Sequence, residues 1–79
     1  MDYQKILKSA EARLSPEFEN VILDIKNCIA GGSTGGEIIG TVGKYLKDLK
    51  FTNAKAYLIL QADIEIYIAS CRKQGIIIL

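Results

Sequence analysis

Apolar residues recur at spacings of three and four along most of the chain, the period of helices that bury one face. Tyr3, Ile6, Leu7, Ala10 and Leu14 follow this rule with Lys5, Lys8 and Glu11 opposite them, which predicts a helix over 2–13. Ser15-Pro16-Glu17 then reads as a helix start. Serine caps free amides, and proline fits a first turn because it has no N–H to lose. Phe18, Val21, Ile22, Ile25, Cys28 and Ile29 continue as one stripe, so a second helix is expected over 16–30, closed by a left-handed turn at Gly31-Gly32. Thr34 with Glu37 three residues later forms a capping box. Ile38, Ile39, Val42, Tyr45, Leu46 and Leu49 follow it, predicting a third helix over 35–50.

The last segment supports two readings. Tyr57, Leu60, Ile64, Tyr67, Ile68 and Cys71 share one arc of a helical wheel, giving a fourth helix over 53–73 stopped by Gly75. Leu58, Ile59 and Ile66 fall outside that arc, so such a helix is expected to be apolar on several sides and centrally placed. The rival reading is an α+β fold with a C-terminal β-meander from about residue 55, because Ile64-Glu65-Ile66-Tyr67-Ile68 also alternates with period two. Ala62-Asp63 is a poor hairpin turn, however, which favours the helix. The expected fold is therefore an all-α, compact four-helix bundle forming one domain over 1–79, with turns short enough to make neighbours antiparallel. Its expected core is Ile6, Leu7, Phe18, Ile22, Ile25, Ile29, Ile39, Val42, Leu46, Leu60, Ile64 and Ile68. The tail Ile76–Leu79 is expected either to pack on the bundle or to form a short strand.

Composition narrows the function classes. Ten basic and nine acidic residues are mixed along the chain, for a net charge of +1. No basic patch is visible, so no nucleic-acid partner is expected. No apolar run approaches the roughly 18 residues of a membrane span, and the first fourteen residues hold no apolar secretion signal. No membrane partner is expected, and a cytoplasmic location follows.

Histidine is absent, which removes the commonest general base and metal ligand. Cys28 and Cys71 lie 43 residues apart on apolar stripes and read as small hydrophobes rather than a metal or redox pair. Asp63 and Glu65 point to different helical faces, and Ser33 and Ser70 have no base to activate them. No catalytic residue, metal or cofactor is expected, and the chain does not read as an enzyme.

Six of the seven glycines lie between positions 31 and 43. Gly31 and Gly36 have the separation of a phosphate-binding loop, but Glu37 stands where that loop requires lysine. Gly36, Gly40 and Gly43 share one helical face, although each glycine inside a helix costs about 1 kcal/mol relative to alanine. Either another helix packs closely there, or the face is a smooth groove for a partner. Lys44, Lys47 and Lys50 either form a solvated face or meet an acidic partner.

Four pieces of the chain resemble the small helical immunity proteins of bacterial polymorphic-toxin and contact-dependent inhibition systems. They are the helix start Leu14-Ser15-Pro16, the ending Ile29-Ala30-Gly31, the opening Gly36-Glu37-Ile38-Ile39 and the close Gly75-Ile76. The chain departs from that family in its even charge, its dense glycines and its longer, more apolar last helix. The resemblance implies a non-enzymatic protein that neutralises a cognate toxin domain by stoichiometric occlusion. The expected contact surface is Glu37, Gly40, Lys44 and Lys47, with Asp63 and Glu65 as a second choice. The competing reading is a structural or regulatory helical module that self-associates. A homodimer is expected if the tail and the glycine face leave apolar surface uncovered.

Overall fold

The computed structural model describes residues 2–76 and 78. Four helices account for most of them, α1 Tyr3–Leu14, α2 Glu19–Gly31, α3 Gly35–Thr52 and α4 Ala54–Lys73. Residues 56–70, where a β-meander was the alternative, lie wholly within α4.

Each helix begins and ends for a local reason. Asp2 caps α1, its carboxylate accepting from the Lys5 amide at 2.9 Å. α1 stops at Leu14 because the residue before a proline is driven out of helical conformation, and Ser15 is extended at φ −80°, ψ 140°. The second helix does not start at Pro16 as expected. Residues 15–18 form a turn instead, in which the Phe18 amide donates to the Leu14 carbonyl at 2.7 Å. The Ser15 hydroxyl, expected to cap amides, donates to Glu19 Oε1 at 2.7 Å. The expected left-handed turn after α2 is also absent, since Gly32 is extended. Glycine is needed there for space, because a β-carbon would overlap the Ile38 side chain.

Thr34 caps α3 as expected, Oγ1 accepting from the Glu37 amide at 3.2 Å. α3 runs past Lys50 to Thr52, and Asn53 alone makes the corner into α4. Its amide donates to the Leu49 carbonyl at 2.8 Å, and its Oδ1 accepts from the Ala56 amide at 3.2 Å. At the far end of α4, the Gly75 amide donates to Arg72 and the Ile76 amide to Cys71. This double closure is a Schellman turn, and it needs the positive φ of +76° that Gly75 supplies. The tail folds back, and Ile76 and Ile78 pack against the core. Ile77 and Leu79, which belong to the expected tail, lie outside the described residues.

Each helix packs on its chain neighbours, and α1 closes on α4. One core holds the four together. Ile6, Ile22, Ile25, Val42, Leu46, Leu60 and Ile64 are buried as expected. Leu7, Phe18, Ile29, Ile39 and Ile68 are only half-buried at its edge. Ala10, Leu14, Val21, Leu49, Ala56, Tyr67 and Cys71 are buried in addition. The Tyr67 hydroxyl, within this core, donates to the Ile39 carbonyl of α3 at 2.9 Å. Tyr45 of α3 donates to Asp24 Oδ2 of α2 at 2.9 Å.

α4 is not the all-round buried helix expected from its second set of apolar residues. Leu58 is 67% exposed and Ile66 52%. One face of α4 meets α1 and α3, and the bundle offers no third neighbour for the other.

Replacing Ile25 or Ile64 by Ala should cost about 2–5 kcal/mol in denaturant unfolding. Leu23→Ala, at a residue 57% exposed, should cost less than about 0.5 kcal/mol in the same assay. Stability should also fall as pH rises above about 10, where unfolded tyrosines ionise. Burial raises the pKa of both Tyr45 and Tyr67 in the folded chain, helped at Tyr45 by the bond to Asp24 and at Tyr67 by the nearby Cys71. Between the unfolded and folded values the native state holds protons that the unfolded chain has lost, so alkali favours unfolding. Stability measured against pH should decline less steeply in the Tyr45→Phe/Tyr67→Phe double variant.

Candidate interaction surface

The outer face of α3 carries four of the six expected contact residues. Glu37 is exposed in its first turn, where its amide is held by Thr34. Gly40 follows half-buried, then Lys44 and Lys47 exposed, at spacings of three, four and three. Those spacings keep all four on one side of the helix.

The other two do not join them. Asp63 sits at the seam between α1 and α4, its side chain 13% exposed, with Arg13 Nη1 3.7 Å from Oδ2. That is too long for a hydrogen bond, and Oδ2 is buried without one among the described residues. Asp63 therefore belongs to the bundle's own seam. Glu65 is exposed on α4, where Oε1 accepts from Gln61 Nε2 at 3.3 Å. Two residues along a helix separate by roughly 200° around its axis, so Asp63 and Glu65 lie on different faces of α4.

The glycine face divides in two. A β-carbon at Gly43 would overlap Ile78 of the returning tail, so the close neighbour there is the tail rather than a helix. Among the described residues, no atom lies within 4 Å of where a β-carbon of Gly36 or Gly40 would stand. Close packing within the bundle explains Gly43 and leaves Gly40 unexplained. The tail also covers apolar surface that was expected to draw in a second copy.

Beside this face lies a groove of about 420 Å³ lined by Lys47, Ile68, Arg72, Gly75, Ile76 and Ile78. Sequence reasoning placed Lys47 on a contact surface but missed Arg72 and the groove. The available signal was Gly75 after Lys73, which marks a Schellman turn and hence a tail that folds back.

The remaining chemistry is quiet. Cys28 and Cys71 are free thiols, and burial raises the pKa of each, with the Asp24 carboxylate adding to the effect at Cys28. Such thiols are held in the unreactive protonated form. Among the described residues, no three His, Cys, Asp or Glu side chains gather where they would hold a metal ion. No helix among them is long and apolar enough to cross a membrane. Comparison with protein-family models, curated proteins and solved structures gives no match to this chain.

Gly40→Ala should stabilise the bundle by about 0.5–1 kcal/mol, the helix-propensity gain of alanine with nothing to clash against. Gly43→Ala should gain less or lose stability, because its methyl displaces Ile78. Thermal unfolding of the two variants beside the natural chain checks the difference.

Proposed function

We propose that the protein is a non-enzymatic binding protein, an immunity protein that neutralises a cognate toxin domain in the cytoplasm by covering its active or substrate-binding surface. Gly40 carries this reading. A glycine inside an 18-residue helix lowers its stability, and no atom of the described residues occupies the space it leaves. A flat strip between Glu37 and Lys44 suits a partner that approaches the α3 backbone closely, with Lys44 and Lys47 meeting acidic groups at the rim. A standard interface takes about 800 Å² from each partner. The chain exposes 4811 Å² in all, so such a contact spans α3 and part of its surroundings.

A self-associating helical module is the second reading. It is favoured by exposed Leu58 and Ile66 on the outer side of α4, with Ala62 between them. Sedimentation at high micromolar concentration separates the two. A dimer weakened by Leu58→Glu or Ile66→Glu supports the module, and a monomer removes it.

The direct test is co-expression with the C-terminal domain of a large toxin encoded next to this gene. Growth should be rescued, and the two proteins should co-purify one to one. Lys44→Glu/Lys47→Glu should weaken the complex, with most of the loss in association rate, as expected for rim charges. If that domain is toxic and this protein neither rescues growth nor binds it, the immunity reading is wrong.

A further inference from the structure

We propose that the outer face of α4 is a homodimer surface, on which a second copy of this chain lies antiparallel about a two-fold axis beside Ala62. This rests on the self-association reading above and fixes its geometry. It makes no use of the α3 surface.

Three of the five large apolar side chains exposed among the described residues, Leu58, Ile59 and Ile66, lie on α4. Ala62 and Ala69 are exposed with them. At roughly 100° per residue, all of these fall within about 60° of Ala62 around the helix. Leu60, Ile64, Tyr67 and Cys71, on the opposite side, fill the core.

A closed dimer of identical chains needs a surface that complements itself. Ile59 and Ile66, seven residues apart, share one edge of this strip to within about 20°. Leu58 and Glu65 share the other edge in the same way. Along the axis, Ile59 and Leu58 stand about 4.5 and 6 Å before Ala62, and Glu65 and Ile66 about 4.5 and 6 Å after it. An antiparallel two-fold rotation at Ala62 keeps the edges in place and reverses the direction of the helix. It therefore sets Ile59 of each copy against Ile66 of the other, and Leu58 against the methylene stem of Glu65. Ala62 meets its own copy on the axis, where its small side chain lets the helices close to about 8 Å.

Charge selects the same direction. Glu65 is exposed, its Oε1 accepting from Gln61 on the same helix. Lys55, seven residues before Ala62, faces Ala69 of the other copy, and Glu65 of that copy is one turn from this alanine. The antiparallel pair thus brings Lys55 near Glu65 at two symmetry-related places. A parallel pair would set Lys55, Glu65 and Lys73 each beside its own copy, and like charges repel.

The test is sedimentation of the whole protein up to high micromolar concentration, with half-filtered NOE spectra of mixed isotope-labelled and unlabelled chains. The natural chain should dimerise, with NOEs from the Ile59 methyls of one copy to the Ile66 methyls of the other. Ala62→Glu and Ala62→Lys should both abolish the dimer, because a charge on a two-fold axis meets itself whatever its sign. Ala62 is exposed, so circular dichroism should show both variants folded. If either is not, the NOEs on the natural chain decide. Lys55→Gln and Glu65→Gln should each weaken association about fivefold, the scale of two surface ion pairs. A chain that stays monomeric removes this proposal and the self-association reading together. Three results overturn the antiparallel α4 pair alone and leave that reading standing. They are a dimer that persists in both Ala62 variants, NOEs joining Ile59 to Ile59, and tighter association in Lys55→Gln.

Discussion

The contact between Tyr67 and the Ile39 carbonyl sets the register on which the other elements depend. Tyr67 is the largest fully buried side chain, and its hydroxyl has to find an acceptor inside the protein. It finds one on α3, one helical turn before Gly43. At the other end of the same helix pair, Asn53 closes α3 and opens α4 within a single residue. The hairpin is thus pinned at both ends. α2 is tied to it by Tyr45 and Asp24, and α1 fills the remaining edge. The path of the tail follows from the same register, because Ile78 lands on the one glycine of α3 whose missing β-carbon makes room for it.

Much of this was legible in the residues. Stripes at spacings of three and four located all four helices. The capping pair Thr34 and Glu37 and the stop at Gly75 placed their ends within a residue or two. Pro16 misled because two rules apply to it. Proline suits the first turn of a helix, but it also forces the preceding residue out of helical geometry. Here the second effect ended α1, and the chain needed three more residues before α2 could begin. Gly32 misled in a different way. It was read for its conformational freedom, but what matters is the space taken by Ile38, and no local pattern reveals a neighbour six residues away.

α4 shows the limit of periodicity as a guide to burial. Its sequence carries two apolar arcs, and a helical wheel cannot say how many neighbours a helix will have. Here α4 packs mainly on α1 and α3, so one of its arcs is buried and the other meets water. The small residues were harder to weigh, although Ala10 lies on the stripe of α1. Ala10 and Ala56 are fully buried, but alanine carries too little hydrophobic signal to mark a core position. On the candidate surface, α3 kept the four residues assigned to it, because residues on one helix share a face by geometry alone. Asp63 and Glu65, the second choice, lie on different faces of α4, as their two-residue spacing on a helix implies. Arg72 joined Lys47 only through the fold of the tail, a long-range relation with no short-range signature.

The seam between α1 and α4 is built differently from the one between α3 and α4. Its polar contact is Arg13 with Asp63 at 3.7 Å, and one oxygen of that carboxylate is buried without a hydrogen bond. Opening this seam returns the oxygen to water, which offsets part of the apolar surface exposed. Opening the other breaks the bond from Tyr67 and strains the single-residue corner at Asn53. The two seams therefore resist local opening differently: parting α1 from α4 breaks no side-chain hydrogen bond among the described residues, while parting α3 from α4 breaks the one from Tyr67.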